Sequence, residues 1–423
     1  MNSIHQHANK QEQILIMLAG LVLLGGILVV SLATNHWDKI LLASVIGLIA
    51  AWLAGQTYLR RAYSGDQLLL PLVLLLSAIG LVMLYRLKPQ LIMIQLLWNC
   101  IGWAACLATV FLFRRLTTWS RYQYLIGLSG ICLLLSPVLI GTEIGGNKNW
   151  LVFGGFRFQP SEFARIFIVL FLAAYLTEKR ELLLYATRRF GPFDLPLSRF
   201  SAPLFVFWGI TMLMLIMQRD LGSALLYFST TLAMIYLASG KLSYISFGLI
   251  LFVCGAAVSY GLFPHVKVRF DIWLNPWADP TGTAYQIVQS LFALGSGGLL
   301  GSGLTFGYPD LIPEVHTDFI FAAIGEELGF IGAAGVLLTY MLLIIRAFRV
   351  ALKTDDPFLQ MVAGGLTVFL SLQVLFIVGG VTKFLPLTGI TLPFISYGGS
   401  SLVSNYIILG ILLDASAAGD GCE

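Results

Sequence analysis

Charge is what this chain has least of. Of its 423 residues only 11% are Asp, Glu, Lys or Arg, while 58% are hydrophobic and the mean hydropathy is +0.87. A soluble domain carries about 25% charged residues. The shortage excludes a water-soluble enzyme and leaves a polytopic helical membrane protein. The net charge of +4 is too small to favour a nucleic-acid partner. Cysteine is also scarce. Cys100, Cys106, Cys132, Cys254 and Cys422 are odd in number and lack CxxC spacing, which excludes a disulfide framework and a zinc site. Soluble domains, internal repeats and low-complexity linkers are missing too. No small-residue cleavage site separates the polar stretch Met1 to Glu12 from the first apolar run, which is therefore expected to stay as a helix.

What is present is a series of apolar runs of about 20 residues, the length needed to cross hydrocarbon. They predict helices near 14–33, 39–58, 67–85, 91–113, 122–141, 161–177, 201–217, 221–239, 243–262, 317–345, 359–379 and 399–415. The expected fold is an all-α transmembrane bundle of about twelve helices with a long extracytoplasmic loop. Basic residues follow the spans ending near Tyr58, Phe113, Leu176, Ser239 and Ile345: Arg60, Arg61, Arg114, Arg115, Arg121, Lys179, Arg180, Arg188, Arg189, Arg199, Lys241, Arg346, Arg349 and Lys353. With Lys10, they share one side if both termini are cytoplasmic, and that fixes the orientation.

The exceptions carry more information. Lys39, Arg86 and Lys88 fall in short outer turns and count against this topology. Lys148, Arg157, Arg219, Lys267, Arg269 and Lys383 lie in or beside other outer connections, and Arg165 lies just inside a helix. Long loops cross membranes whatever their charge, so any one of these has a bland explanation. Their grouping with Trp150, Glu162, Asp220 and Asp318 points instead to a shared anionic ligand, for which phosphate is the usual target.

Asp318 is the sharpest feature. It stands at the mouth of a long apolar helix, with Phe319, Ile320 and Phe321 expected to wall it from water. An ionisable group at such a depth is costly and marks a functional site by default, and apolar walls raise a carboxylate's pKa toward that of a proton acceptor. Glu326 lies near the same helical face two turns on. With Glu327 it forms either a polar lock or a proton relay. His316 either orients the loop or is solvated. Tyr285 to Leu294 has helical spacing, and Gly295 to Gly303 is expected to be a flexible hinge rather than a phosphate cradle, because no strand precedes it.

Three further stretches stand out. In Gly146 to Arg165, Glu162 and Arg165 are three apart and can pair on one helical face, whereas Arg157 lies outside that pair. Gln218 to Ser223 leaves room only for a tight turn in which Asp220 caps the next helix or faces a cavity. Leu385 to Ser401 holds prolines and glycines that cannot sustain a lipid-exposed helix, so it must be buried in protein or line a cavity.

These stretches resemble the SEDS (shape, elongation, division and sporulation) family of FtsW/RodA-like proteins. The matching runs are GNKNWLVFGGFRFQPSEFAR, QRDLGSALL, FDIWLNPWADPTGTAYQIVQSLFALGSGGLLGSG, IPEVHTDFIFAAIGEELG and LPLTGITLPFISYGGSS, in family order from Gly146 to Ser401. The resemblance implies a peptidoglycan glycosyltransferase that polymerises lipid II at the outer face of the cytoplasmic membrane, beside a class B penicillin-binding protein that cross-links. It makes Asp318 the catalytic residue and places Lys148, Trp150 and Arg157 in the lipid II loop. Three positions depart from the family pattern: Asn149 replaces a basic residue, Arg165 ends the SExxK pattern, and Arg219 replaces the proline of QPxLG. Residues 1–60 look like an added helix pair, 61–415 like the catalytic core and 416–423 like a short cytoplasmic tail.

The chemistry fits this resemblance. A leaving lipid pyrophosphate needs cations, and Lys148, Arg157, Lys267 and Arg269 can supply them, with Trp150, Glu162 and Arg165 as further substrate-binding candidates. The acceptor hydroxyl needs a base, for which Asp318 is placed. Without an equal second carboxylate, an inverting single displacement fits best. A divalent cation, Mg or Mn, is compatible with pyrophosphate transfer, but no cluster with ligand spacing demands one. The alternatives are a flippase for the lipid-linked precursor and a non-catalytic division scaffold.

Overall fold

The computed structural model of the chain describes residues 2–62, 65–112, 116–144, 147–154, 156–185, 187–190, 193–196 and 198–419, with side chains at 1–10, 60–64, 113–117, 144–146, 153, 155, 183–201 and 418–423 excluded. Several groups named above lie outside those described side chains: Lys10, Arg60, Arg61, Arg114, Arg115, Gly146, Arg188, Arg189, Arg199 and the last residues of the tail. In chain order the elements begin with α1 (Asn2–Thr34), α2 (Lys39–Ala62), α3 (Leu69–Leu87) and α4 (Ile92–Leu112). Next come α5 (Leu116–Trp119), α6 (Gln123–Ile140), β1 (Thr142–Ile144), β2 (Asn147–Phe153), β3 (Phe156–Phe158), α7 (Pro160–Glu178) and α8 (Arg180–Tyr185). Strands β4 (Thr187–Phe190) and β5 (Phe193–Pro196) lead to α9 (Ser198–Met217), α10 (Leu221–Ser239), α11 (Leu242–Leu262) and α12 (Pro264–Leu274). The chain ends with α13 (Tyr285–Gly297), α14 (Ile320–Lys353), α15 (Pro357–Val381) and α16 (Gly399–Gly419).

Among the described residues, 11 helices are long and apolar enough to cross a membrane, and Ala202–Met217 is a shorter apolar helix. Each falls on one of the expected spans, and the fold is an all-α polytopic bundle. Two small antiparallel sheets, β1-β2-β3 and β4-β5, were not foreseen. The first had a signal: β2 and β3 join through Gly154-Gly155, with Phe153 opposite Phe156, and a Gly-Gly pair between alternating residues marks a two-residue hairpin.

The chain divides into two units. One comprises Met1–Phe113, Ile272–Val350 and Gln373–Glu423, and the other comprises Arg114–Asp271 and Ala351–Leu372. In the first unit, α3, α4 and α16 meet around Tyr406, which is fully buried. Its hydroxyl lies 3.1 Å from Ser77 Oγ and donates to Asn99 Oδ1 at 3.1 Å. Such polar contacts join helices where lipid gives no hydrophobic drive. The N-terminal pair docks on this core: Ser31 Oγ lies 3.2 Å from the Tyr85 hydroxyl, and the Trp103 indole donates to Ala51 O at 3.0 Å.

Helix α14 departs from its expected continuous span. It is broken at Gly329 (φ 68°, ψ −170°), and the glycine run before it fills the break. Ser302 N and Gly303 N donate to Glu326 O and Glu327 O, while Phe330 N and Ile331 N donate to Gly298 O and Leu299 O. The exchange satisfies backbone groups that the break would otherwise strand in an apolar setting. Close approach is the reason for glycine: a Cβ on Gly301 (φ 85°) would lie 2.2 Å from Glu327 O. The run is thus a backbone-to-backbone plug, not a flexible hinge. Gly301→Ala is expected to lower the thermal unfolding midpoint, with strain alone costing about 1–3 kcal/mol. A wild-type midpoint would contradict the plug.

In the second unit α6 lies along α7, and the Tyr227 hydroxyl of α10 donates to Ser161 O at 2.6 Å. Helix α11 keeps an almost entirely exposed apolar surface.

Candidate functional site

In the first unit, Asp318 lies in the turn just before α14 and is half-buried, while Phe319, Ile320 and Phe321 are no more than 3% exposed. The apolar wall is therefore present, and the residue itself is partly accessible. The turn is tight: Thr317 N, Asp318 N and Thr317 Oγ1 all donate to Glu314 O, and Glu314 itself has φ 53°. His316 is enclosed, not solvated. Its side chain is 12% exposed, and its ring lies tilted at 43° to that of Tyr397 with the centroids 5.6 Å apart. Burial holds its imidazole below the usual pKa; the Glu314 carboxylate opposes this and the Lys88 charge adds to it.

Glu326 and Glu327 act as locks on the preceding loop. Glu326 Oε1 accepts from Tyr308 N at 2.8 Å. Glu327 Oε1 accepts from Arg86 Nε at 2.9 Å, and Arg86 also reaches Asp310 Oδ2 at 3.2 Å and Gly307 O at 3.0 Å. Arg86, read above only as an exception to the charge pattern, is the anchor of this loop. Lys88, likewise read above only as an exception, lies close enough to His316 for its charge to disfavour the imidazolium. The available signal in both cases was a cation at the end of a span expected to face outward. An apolar cavity of about 500 Å³ begins at Phe321, one turn from Asp318, and runs past Leu294, Phe330, Leu337 and Met341 to Val378.

In the second unit the sheet β1-β2-β3 is pinned to the turn before α10. Lys148 N donates to Gln218 O at 3.1 Å, and the buried Asn149 amide donates to Asp220 Oδ2 at 3.0 Å. Asp220 caps α10 through Ser223 N at 3.0 Å, the role expected of it. Lys148 Nζ donates to Val138 O at 2.9 Å, so its charge serves the carbonyl end of α6. Trp150 is half-buried, and its carbonyl accepts from Thr142 Oγ1. Arg157 is exposed on β3, opposite Val152.

Glu162 and Arg165 pair at 3.0 Å, as their spacing allowed. Arg165 is 2% exposed and sits 5.0 Å from the Phe369 ring centroid. Arg219, forced to φ 58° by the tight turn, reaches Glu143 at 3.6 Å; both side chains are about 60% exposed. Arg219 and Arg269 gather electrostatically about His265, whose pKa falls through burial and then through those two charges. Lys267, on the same helix α12, is exposed beside the Tyr260 ring at 5.9 Å. Among the described residues no group of three or more His, Cys, Asp or Glu is placed to hold a metal ion.

The chain matches the FtsW/RodA/SpoVE family model, described as "Cell cycle protein", over residues 62–420. It is 40% identical over 420 residues to the peptidoglycan glycosyltransferase RodA of Mycobacterium tuberculosis, covering 95% of this chain and 89% of that protein. It is 36% identical to stage V sporulation protein E of Bacillus subtilis, over 84% and 97% of the two chains. One similar solved structure is described as "Structural coordination of polymerization and crosslinking by a peptidoglycan synthase complex". It superposes with a TM-score of 0.70 at 27% identity, covering 85% of this chain and 99% of that one. The crystal structure of the Thermus thermophilus rod shape determining protein RodA gives 0.58 at 26% identity, covering 84% and 98%.

Proposed function

This chain belongs to the SEDS family of FtsW/RodA/SpoVE cell cycle proteins, and from that membership we propose that it polymerises lipid II into glycan strands at the outer face of the cytoplasmic membrane. It is a multi-pass membrane enzyme of the peptidoglycan glycosyltransferase class, acting in cell-wall synthesis for shape or division. Asp318 serves as general base for the acceptor sugar hydroxyl. The observation that carries this is its placement: a partly buried aspartate ahead of a buried apolar wall, on a turn held by three hydrogen bonds to a single carbonyl.

Arg157, Lys267 and Arg269 attract the lipid pyrophosphate, and Lys148 and Trp150 shape the loop that meets it. Glu162 and Arg165 hold the top of α7 from within. Growing charge on the leaving pyrophosphate is where fixed cations help most. The cavity beside α14 suits a polyprenyl tail, because its lining is apolar and begins one turn from the base. A divalent cation, if used, would be shared with the pyrophosphate, as Mg commonly is. A class B penicillin-binding protein transpeptidase is the partner that would cross-link the product.

The test uses purified protein with fluorescent lipid II in detergent or liposomes. Glycan strands longer than the dimer, resolved by gel, are expected. Translocation of lipid II across liposomes without polymer would support a flippase instead, and neither outcome, in folded protein, would leave a scaffold.

A further inference from the structure

The segment from Leu392 to Ser396 is buried although it is not helical. Leu392, Phe394, Ile395 and Ser396 are 1–4% exposed, and Phe394 has φ 67°. The first unit holds it from several helices. The Tyr340 hydroxyl of α14 donates to Pro393 O. Gly80 of α3 lies so close that a Cβ there would come 2.5 Å from Ile395 O. Such over-determination is what keeps unusual backbone in place.

This segment in turn grips the peptide beside Asp318. Ser396 Oγ accepts from Leu392 N at 3.0 Å and donates to Thr317 O at 2.5 Å. The next residue, Tyr397, donates its N–H to His316 O at 2.9 Å. Two consecutive residues therefore hold two consecutive carbonyls immediately before the aspartate. A hydroxyl has one proton, and the acceptor role toward Leu392 N leaves that proton directed at Thr317 O. The peptide that carries Asp318 is thus fixed by a side chain 78 positions away from it, which touches neither substrate nor reacting atoms.

We propose that Ser396 is a positioning residue for the glycosyl transfer, setting the direction of the Asp318 carboxylate; this rests on the reading of Asp318 as the base. A base misplaced by about 1 Å costs on the order of 10²-fold in rate, while groups that bind substrate without acting through Asp318 are untouched. Ser396 acts on kcat and leaves KM alone.

The experiment compares Ser396→Ala, Ser396→Cys and Ser396→Thr with wild type and Asp318→Asn in lipid II polymerisation. Rates are normalised to folded protein by size exclusion and thermal midpoint. Alanine and cysteine, without a strong donor, are expected to lower kcat about 10–100-fold with KM within about twofold. Threonine, which keeps the hydroxyl, is expected to stay within about threefold of wild type. Whichever of alanine and cysteine is recovered folded carries the comparison. A wild-type kcat in either overturns the proposal, as does a loss confined to KM. If Asp318→Asn is inactive while these variants are normal, only the positioning role falls. If Asp318→Asn polymerises normally, the base assignment itself falls.

Discussion

Asp318→Asn is expected to reduce lipid II polymerisation about 10²–10⁴-fold, the usual contribution of a positioned general base. The substitution keeps the size of the side chain and a capacity to hydrogen-bond, and removes the negative charge and with it the ability to take a proton. The residue is partly exposed, and the contacts that hold its backbone, from Asp318 N to Glu314 O and from Ser396 Oγ to the preceding carbonyl, do not use its carboxylate, so the fold should survive. Loss in kcat with KM little changed would identify a group that acts in the transition state and not in ground-state binding. The same preparation should show a wild-type thermal midpoint and intact membrane insertion. Undiminished glycan synthesis by the folded variant would end the base assignment, whatever the role of the cations.

The second large effect is on stability. Arg86→Ala is expected to destabilise the protein by about 3–5 kcal/mol, the cost of leaving one partner of a buried ion pair alone. The Glu327 side chain is fully buried and that of Arg86 is 13% exposed, with 2.9 Å between Nε and Oε1. The contact to Asp310 contributes little by comparison, because that carboxylate is 54% exposed and screened. The loss should appear as a lower thermal midpoint in detergent. It should also expose the loop from Ser302 to Asp310 to protease, since Arg86 holds Gly307 O. Arg86→Lys should recover only part of the loss, because an ammonium cannot form the planar fork that reaches three acceptors. Replacing both Arg86 and Glu327 by apolar residues should restore most of it, since no charge is then stranded. A wild-type midpoint in Arg86→Ala would show that the pair is not buried in the membrane-embedded protein.

The membrane-spanning architecture was readable because its cause is local: any run of about 20 apolar residues is driven out of water whatever its neighbours do. For the same reason Asp318 stood out, as did the Glu162–Arg165 pair and the Asp220 cap, each settled within one or two helical turns. The β2–β3 hairpin was legible at Gly154-Gly155 and was passed over in a chain dominated by helical signals. The break at Gly329 gave no such warning, since glycine is common within transmembrane helices and the plug that accommodates it lies some thirty residues earlier.

Residue order alone marked out the apolar helices of a multi-pass chain and the acid that stands just before one of them. Its folding decided which groups are spent inside the protein: Lys148 on the end of α6, Arg165 on Glu162, Arg86 on Glu327, Ser396 on the peptide before Asp318. Burial of apolar surface depends on composition over a short window, whereas a hydrogen bond between residues 79 apart in sequence exists only once the backbone has brought donor and acceptor within about 3 Å of each other.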